Sequence, residues 1–236
     1  MMNTDIAENI EKVRFNIEEA ARRAGRNPSD ITLIGVSKTV AVPRIKEAVS
    51  HGITELGENR VQELDEKYDE ISGVNWHLIG HLQTNKVKYI ADKVKLIHSV
   101  DSIKLADEIE RQAKLKNITV NILLQVNVSG EESKFGIDPS EAPAFAEYAS
   151  GLENTRLCGL MTVPPPVLKP SDNKKYFNEL FELSVKISSE RYDNIKMNVL
   201  SMGMSGDYTA AIECGATMVR VGSAIFGNRI YKGGTR

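Results

Sequence analysis

Short runs of hydrophobic and β-branched residues recur along the chain, separated by stretches with helical spacing. The first stretch, from Ile6 to Ala24, has apolar residues three or four positions apart and predicts an amphipathic helix that Gly25 and Pro28 end. Eight short apolar runs follow, and we predict that each is a strand. They are Ile31–Ser37, Ile53–Leu56, Trp76–Ile79, Leu96–Val100, Val120–Val126, Leu157–Met161, Met197–Ser201 and Met218–Val221.

Helical patterns fill most of the intervals between these runs. Examples are Pro43–Ser50, and Ser102–Lys114 with Asp101 as its candidate N-cap. Eight strands that alternate with helices in 236 residues predict one α/β domain over residues 1–236, a (β/α)8 TIM barrel with an extra N-terminal helix. A doubly wound open sheet shows the same alternation, but it favours a Gly-x-Gly-x-x-Gly motif after the first strand, where Ser37-Lys38-Thr39 stands instead.

Composition and charge narrow the function without identifying it. A hydrophobic content of 41% and a charged content of 26% are typical of a soluble globular protein. The net charge of -2 gives no electrostatic reason to expect binding to nucleic acid or to a membrane surface. No apolar run is long enough to span a bilayer and the N-terminus does not resemble a secretory signal, so we expect a cytoplasmic protein. We expect Cys158 and Cys214 to be buried reduced thiols, and the four histidines have no metal-ligand spacing.

Lys38 is the first candidate for chemistry. It follows the first predicted strand, so its stem is expected in apolar surroundings and its amine at the mouth of a loop. Desolvation favours the neutral amine, which is the form that attacks a carbonyl carbon. The same position also suits a lysine that only extends from a strand end into water.

The exits of the seventh and eighth strands carry glycines and hydroxyl groups. Ser201–Gly206 precedes a helical stretch that starts near Asp207, and Gly222-Ser223 leads into another. Glycines allow the backbone to approach an anion closely, and amides at helix starts direct their N–H groups toward it. Either loop alone could be ordinary, but barrels of this type commonly hold phosphate after strands seven and eight.

Arg220 lies within the eighth predicted strand, between apolar neighbours. Burial of a guanidinium is costly unless something accepts its hydrogen bonds, so we expect it to meet either a carboxylate or a ligand. A lysine amine, a phosphate site and a buried arginine together match pyridoxal 5′-phosphate (PLP). The amine would form an imine with the aldehyde, and the arginine would face the ring nitrogen.

Several long motifs resemble the pyridoxal phosphate homeostasis proteins, which share the barrel of the alanine racemase N-terminal domain. The resemblance covers roughly residues 31 to 231 in uninterrupted order. Its motifs are Val36–Thr39, Gly57–Glu63, Trp76–Lys86, His98–Ser102, Gln125–Val128, Gly159–Thr162, Leu200–Tyr208 and Val219–Gly227. Leu56 departs from the pattern, where an aromatic residue would be expected, and this affects packing only.

The resemblance implies a role for eight residues in binding PLP. Lys38 would be the Schiff-base lysine and Arg220 would face the pyridine nitrogen. The phosphate would be bound by Ser201, Ser205, Gly222 and Ser223, and the pocket would be lined by Asn59 and His81. Lys134 is predicted in a surface loop, where a role in transferring the cofactor is a further hypothesis.

The resemblance also implies a carrier of PLP that acts in its intracellular homeostasis. An arginine opposite the ring nitrogen disfavours the protonated pyridine and weakens the ring as an electron sink. Racemases of this fold use a second base from an additional β-domain, for which the roughly fifteen residues after the eighth strand leave no room. We therefore expect a monomer without catalysis that passes PLP to apo-enzymes. A PLP-dependent racemase or lyase, and a cofactor-free class I aldolase, are the alternatives.

Overall fold

Eight parallel strands form a closed barrel in the computed structural model, which describes residues 5–131, 133–192 and 194–227. Each strand pairs with its neighbour in sequence, and β1 closes the barrel against β8 with Thr32 opposite Met218 and Gly35 opposite Val221. The (β/α)8 prediction is therefore confirmed, and the open sheet is excluded. The strands are β1 (Thr32–Val36), β2 (Glu55–Glu58), β3 (Asn75–Leu78), β4 (Leu96–Val100), β5 (Val120–Gln125), β6 (Thr155–Met161), β7 (Val199–Met204) and β8 (Met218–Val221).

Helices cover the outside of the barrel. They are α1 (Ile6–Arg23), α2 (Val42–Ser50), α3 (Val61–Tyr68), α4 (Ile103–Lys116), α5 (Ala142–Ser150), α6 (Lys174–Ser189), α7 (Tyr208–Glu213) and α8 (Ser223–Phe226). A 3-10 helix, Thr84–Tyr89, occupies the interval between β3 and β4. In the described ranges no helix is long and apolar enough to cross a membrane.

The N-terminal helix α1 precedes the first strand and packs beside the last helices. Asp5 caps it by accepting hydrogen bonds from the backbone N–H groups of Ala7 and Glu8. Asn9 donates to the carbonyl of Ile225 at 3.0 Å, and Asn16 donates to the hydroxyl of Tyr208 at 3.0 Å. These contacts hold α1 against α7 and α8.

Apolar side chains form two separate clusters on the two sides of the strands. The larger one fills the space between barrel and helices and includes fully buried Leu56 and Leu78. The smaller one consists of Leu96, Leu123 and Met161. Because side chains alternate along a strand, Leu96 shares the inward face of β4 with His98. The barrel interior therefore combines apolar residues with buried polar ones.

Several sequence predictions are wrong at element ends. The seventh strand lies at Val199–Met204 rather than at Met197–Ser201, because the apolar alternation continues through Met202 and Met204. The N-cap of α4 is Ser102, whose hydroxyl accepts from the N–H of Leu105, and not Asp101. Cys158 and Cys214 are free thiols, as expected, but only partly buried.

Candidate functional site

The carboxyl ends of the strands surround a cavity of about 400 Å³. Six of the eight predicted residues line it: Lys38, Asn59, Ser205, Arg220, Gly222 and Ser223. Apolar walls are contributed by Val36, Ile79, Val163 and Met204. A cavity of this size with a few convergent polar groups is typical of a small-molecule site.

Lys38 occupies a turn directly after β1, and its two neighbours are held by charged side chains. Thr39 has a φ of 63°, a left-handed conformation that is strained for a β-branched residue. Its N–H donates to the carboxylate of Glu63. The carbonyl of Ser37 accepts from Lys67 Nζ at 2.8 Å. The backbone is therefore held by hydrogen bonds on both sides of Lys38.

Glu63 and Lys67, which make these two hydrogen bonds, belong to a largely buried ionic cluster between the barrel and α3. Lys67 Nζ lies 2.8 Å from Glu58 Oε1 and 2.7 Å from Glu63 Oε1, and the hydroxyl of Ser37 donates to Glu58 Oε1 at 2.7 Å. Burial raises the pKa of the Glu58 carboxyl, although the bonds from Lys67 and Ser37 oppose the shift. Glu58 Oε2 is buried without a hydrogen-bond partner among the described residues. This cluster does not line the cavity, and its hydrogen bonds to Ser37 and Thr39 hold the turn that contains Lys38.

Backbone amides and a hydroxyl converge at the β7 and β8 loops. The hydroxyl oxygen of Ser205 accepts from the N–H groups of Gly222 at 3.1 Å and Ala224 at 3.3 Å. A Cβ atom on Gly206 would meet nothing within 4 Å, so the space beside this backbone is open. Amides and a hydroxyl around open space form an arrangement that can hold an anion.

Arg220 forms the floor of the cavity and is only 4% exposed. Its Nη1 donates to Ser201 Oγ at 2.6 Å, and its Nη2 donates to the carbonyl of Thr162 at 2.8 Å. A guanidinium has five N–H donors, so three can face other acceptors. Burial lowers the pKa of Arg220 to about 10, and the negative charge of Asp207 opposes this shift. Arg220 therefore remains a cation at neutral pH.

Ser201 and His81 are not among the residues that line this cavity. Ser201 is fully buried, and its hydroxyl bonds to Arg220 and to His98 Nδ1 at 2.8 Å. His81 lines an adjoining cavity of about 320 Å³, where its ring stacks on Phe135 with a centroid separation of 4.1 Å. Lys134 lines the same cavity. The two cavities share Asn59 as a common wall residue.

Comparison with known proteins identifies the family of this chain. The family described as "Alanine racemase, N-terminal domain" matches residues 9–229. A pyridoxal phosphate homeostasis protein of Aquifex aeolicus is 45% identical over 226 residues, which cover 95% of this chain and 98% of that protein. The chain belongs to the pyridoxal phosphate homeostasis protein family.

Solved structures share the barrel fold. PipY of Synechococcus elongatus PCC7942, solved with PLP bound, is 30% identical with a TM-score of 0.81, and the match covers 94% of this chain and all of that one. Alanine racemase of Clostridium difficile 630 is 20% identical with a TM-score of 0.72, which shows a shared barrel fold. That match covers 97% of this chain and 58% of the racemase.

Family membership does not by itself indicate the residues that support the site. The cluster of Glu58, Glu63 and Lys67 was missed because an ionic pair between a strand and the following helix has no motif of its own. Thr162 was missed because it contributes a backbone carbonyl, which any residue type could supply. No group of three or more potential metal-ligating side chains occurs in the part of the chain that the structure describes.

Proposed function

We propose that this protein binds PLP reversibly through a Schiff base with Lys38, and that it buffers or delivers the cofactor in intracellular PLP homeostasis without catalysis of its own. One observation carries the proposal. Lys38, the amide and hydroxyl cluster at Ser205, and the buried cation Arg220 border a single cavity of about 400 Å³. PLP has three features that need recognition, an aldehyde, a phosphate and a pyridine nitrogen, and each has a suitable partner here.

The phosphate would be held at the β7 and β8 loops. The N–H groups of Gly222 and Ala224 donate to the hydroxyl oxygen of Ser205 at 3.1 and 3.3 Å, and a phosphate oxygen would replace that acceptor. Ser223 adds a second hydroxyl at the start of α8. Charge-assisted hydrogen bonds of this type contribute on the order of 1.5–3 kcal/mol each. Ser201, in contrast, already uses its hydroxyl below Arg220, so we propose that it acts there rather than on the phosphate.

Arg220 would hold the ring nitrogen as an acceptor. A protonated guanidinium donates hydrogen bonds and cannot accept one, so its partner has to be the unprotonated pyridine. Lys38 would supply the amine for an imine with the aldehyde of the bound cofactor, a condensation that would release one water. The Lys38 side chain is half-buried beside apolar Val36 and Ile79, which limits access of water to that position.

The residues around the cavity favour a carrier over an enzyme. Within the described part of the chain, Lys38 is the one lining side chain that could serve as a base near neutral pH. A racemase needs an acid and a base on opposite faces of the substrate, and a lysine alone supplies one face. Since Arg220 also keeps the ring a poor electron sink, proton removal from a bound amino acid gains little stabilisation.

The first experiment is an absorbance spectrum of the purified protein with PLP, followed by borohydride reduction and peptide mass mapping. We expect a visible imine band and a pyridoxyl adduct on the peptide that contains Lys38. A spectrum identical to that of free PLP, with no adduct, would reject the proposal. An adduct that forms only with a sugar phosphate and without PLP would instead indicate the aldolase alternative.

Hydrogen exchange at the α-carbon of amino acids distinguishes the racemase or lyase alternative from a carrier. The PLP-loaded protein is incubated with small amino acids in deuterated water, and deuterium at the α-carbon is followed by NMR. We expect no exchange above that of free PLP at the same concentration. Sustained exchange that disappears in Lys38→Ala would establish catalysis and remove the carrier hypothesis.

Gly80 offers a test of the cavity wall. A Cβ atom on Gly80 would lie 2.4 Å from the carbonyl oxygen of Asn59 and 2.7 Å from its Cα, so Gly80→Ala must displace the Asn59 backbone. We expect weaker PLP binding and a loss of about 1–3 kcal/mol in the free energy of unfolding. The matched control is Gly151→Ala, where the nearest atom is 3.5 Å away, and it should change neither quantity. Equal effects of both substitutions would show that the cavity wall is not responsible.

We further propose that the protein is a cytoplasmic monomer that passes PLP to apo-enzymes. Light scattering of the PLP-loaded protein is expected to give a mass near 26.1 kDa. Mixing with an apo form of a PLP enzyme is expected to restore that enzyme's activity when free PLP is removed by dialysis. Restoration no faster than with the dialysate alone would argue against delivery.

A further inference from the structure

A chain of hydrogen bonds crosses the inside of the barrel and ends at Arg220. Glu55 Oε2 lies 2.7 Å from His77 Nε2, and His77 Nδ1 lies 2.9 Å from His98 Nε2. His98 Nδ1 lies 2.8 Å from Ser201 Oγ, which accepts from Arg220 Nη1 at 2.6 Å. We call these five residues the interior chain.

The interior chain joins the two ends of the barrel. Glu55 is the first residue of β2, and its side chain is 13% exposed at the amino end of the strands. His77, His98 and Ser201 are fully buried, and Arg220 reaches the cavity at the carboxyl ends. Five strands contribute, but the polar residues of each strand do not indicate in advance which of them meet.

The hydrogen bonds of the interior chain can all point in one direction, from donor to acceptor, when both imidazoles are neutral. Arg220 can only donate, so the Ser201 hydroxyl accepts from it and donates its own hydrogen bond to His98 Nδ1. His98 then carries its proton on Nε2 and donates to His77 Nδ1. His77 in turn carries its proton on Nε2 and donates to Glu55. Every bond then has one proton, and each runs from the arginine toward the carboxylate.

The charged groups around the interior chain favour this direction. Burial opposes ionisation of Glu55, but hydrogen bonds from His77, Lys95 and Asn75 outweigh it and hold the pKa of the carboxyl at about 2. Burial is the largest cause that keeps the pKa of His98 well below its usual value, and the positive charge of Arg220 acts in the same direction. Glu55 is therefore a carboxylate and His98 a neutral imidazole at pH 7. Asp207 adds a negative charge near the arginine end.

We propose that Glu55, His77 and His98 are positioning residues that fix Ser201 as a hydrogen-bond acceptor and so set the orientation of Arg220 toward an unprotonated ring nitrogen. This inference rests on the proposed function for the identity of the ring. The guanidinium is anchored at two points, on Ser201 and on the carbonyl of Thr162. Loss of the Ser201 anchor allows it to rotate about the remaining bond. A change at Glu55 is then transmitted to Arg220 through three intervening side chains and reaches the cofactor through Arg220.

The direction of the interior chain is measured first, in the protein without PLP. Long-range 15N–1H NMR distinguishes the two neutral tautomers of histidine and the imidazolium. We expect both His77 and His98 to be neutral and protonated on Nε2 at pH 7, with His51 and His81 as internal references. An imidazolium at His77, or a proton on Nδ1 of either ring, would overturn the proposed direction of the hydrogen bonds in the interior chain.

The effect of Glu55 on PLP binding is measured next, with Glu55→Gln in the PLP-loaded protein. The amide still accepts from His77 but lacks the charge that fixes the proton order, so we expect the Kd for PLP to rise about threefold to tenfold and the visible band to move. The control is Glu110→Gln, a partly buried carboxylate that accepts from Asn154 at 3.0 Å and has no link to Arg220. Equal changes in both variants, or none in Glu55→Gln, would overturn the proposal.

Ser201 provides a second pair of variants in case Glu55→Gln alters folding. Ser201→Ala removes both hydrogen bonds of the hydroxyl, whereas Ser201→Thr retains the group. We expect the visible band and the Kd to change in the alanine variant and to return toward wild type in the threonine variant. Identical spectra for the two variants would overturn the proposal. If the wild type itself takes up no PLP, the proposed function fails, and the tautomer measurement still decides the interior chain.

Discussion

Replacing Lys38 with alanine is expected to abolish the pyridoxyl adduct that borohydride traps, and to weaken PLP binding by at least about tenfold, equivalent to about 1.4 kcal/mol. The visible imine band should disappear with it. The reason is chemical, because among the described residues lining the cavity Lys38 is the one with a primary amine. The donors at Ser205 and Arg220 remain, so weak binding without a covalent bond should persist.

Two further variants make this result specific. Lys38→Arg keeps a positive charge but cannot form the imine at neutral pH, so it should match the alanine variant in adduct formation. Lys46→Ala removes an exposed lysine of the neighbouring helix α2 and should behave as wild type. A pyridoxyl adduct of undiminished yield in Lys38→Ala, located on another lysine, would move the binding site elsewhere.

The fold could be predicted from sequence because its signal is repeated. Each strand and helix carries its own periodic pattern, and eight repetitions outweigh an error in any one of them. The errors fall where two rules compete. Glycine is typical of loops, so Gly203 suggested a loop. It lies instead within β7, with a φ of 89°, and a Cβ atom on it would lie 2.6 Å from the side chain of Ala211. Glycine is needed at this position because α7 packs closely against the strand.

The candidate site was predictable only in part, and the division has a physical reason. Lys38, Gly222 and Ser223 stand at strand ends, and strand ends can be counted along the chain. His98 and Glu55 lie inside strands, and their contacts depend on the register between strands that are distant in sequence. A pattern along one strand contains no information on which residue of another strand it will face.

Replacing Lys67 with methionine is expected to lower the free energy of unfolding by about 3–5 kcal/mol, because it leaves the buried carboxylate of Glu58 without its cation. Both partners are almost fully buried, with side-chain exposures of 8% for Lys67 and 0% for Glu58. The matched control is Lys116→Met, which breaks an ion pair of the same 2.8 Å length with Asp92 on the surface. We expect the control to cost no more than about 1 kcal/mol.

The cost of Lys67→Met should depend on pH. Burial already raises the pKa of Glu58 in the folded protein, and loss of the lysine raises it further. An acid with a raised folded pKa contributes stability below its unfolded pKa of about 4.5 and loses it as the pH rises through the folded value. The deficit relative to wild type should therefore be small near pH 4.5 and large at pH 8, as measured by urea unfolding at both values.

The Lys67→Met substitution should also weaken PLP binding. Lys67 holds the carbonyl of Ser37, and its partner Glu63 holds the N–H of Thr39, so its removal loosens the strained turn that presents Lys38. Combining Lys67→Met with Glu58→Leu removes both buried charges and should recover most of the stability. We expect PLP binding to stay weak in the double variant, because the backbone fastening is still lost. Recovery of binding together with stability would show that the cluster acts on the fold alone.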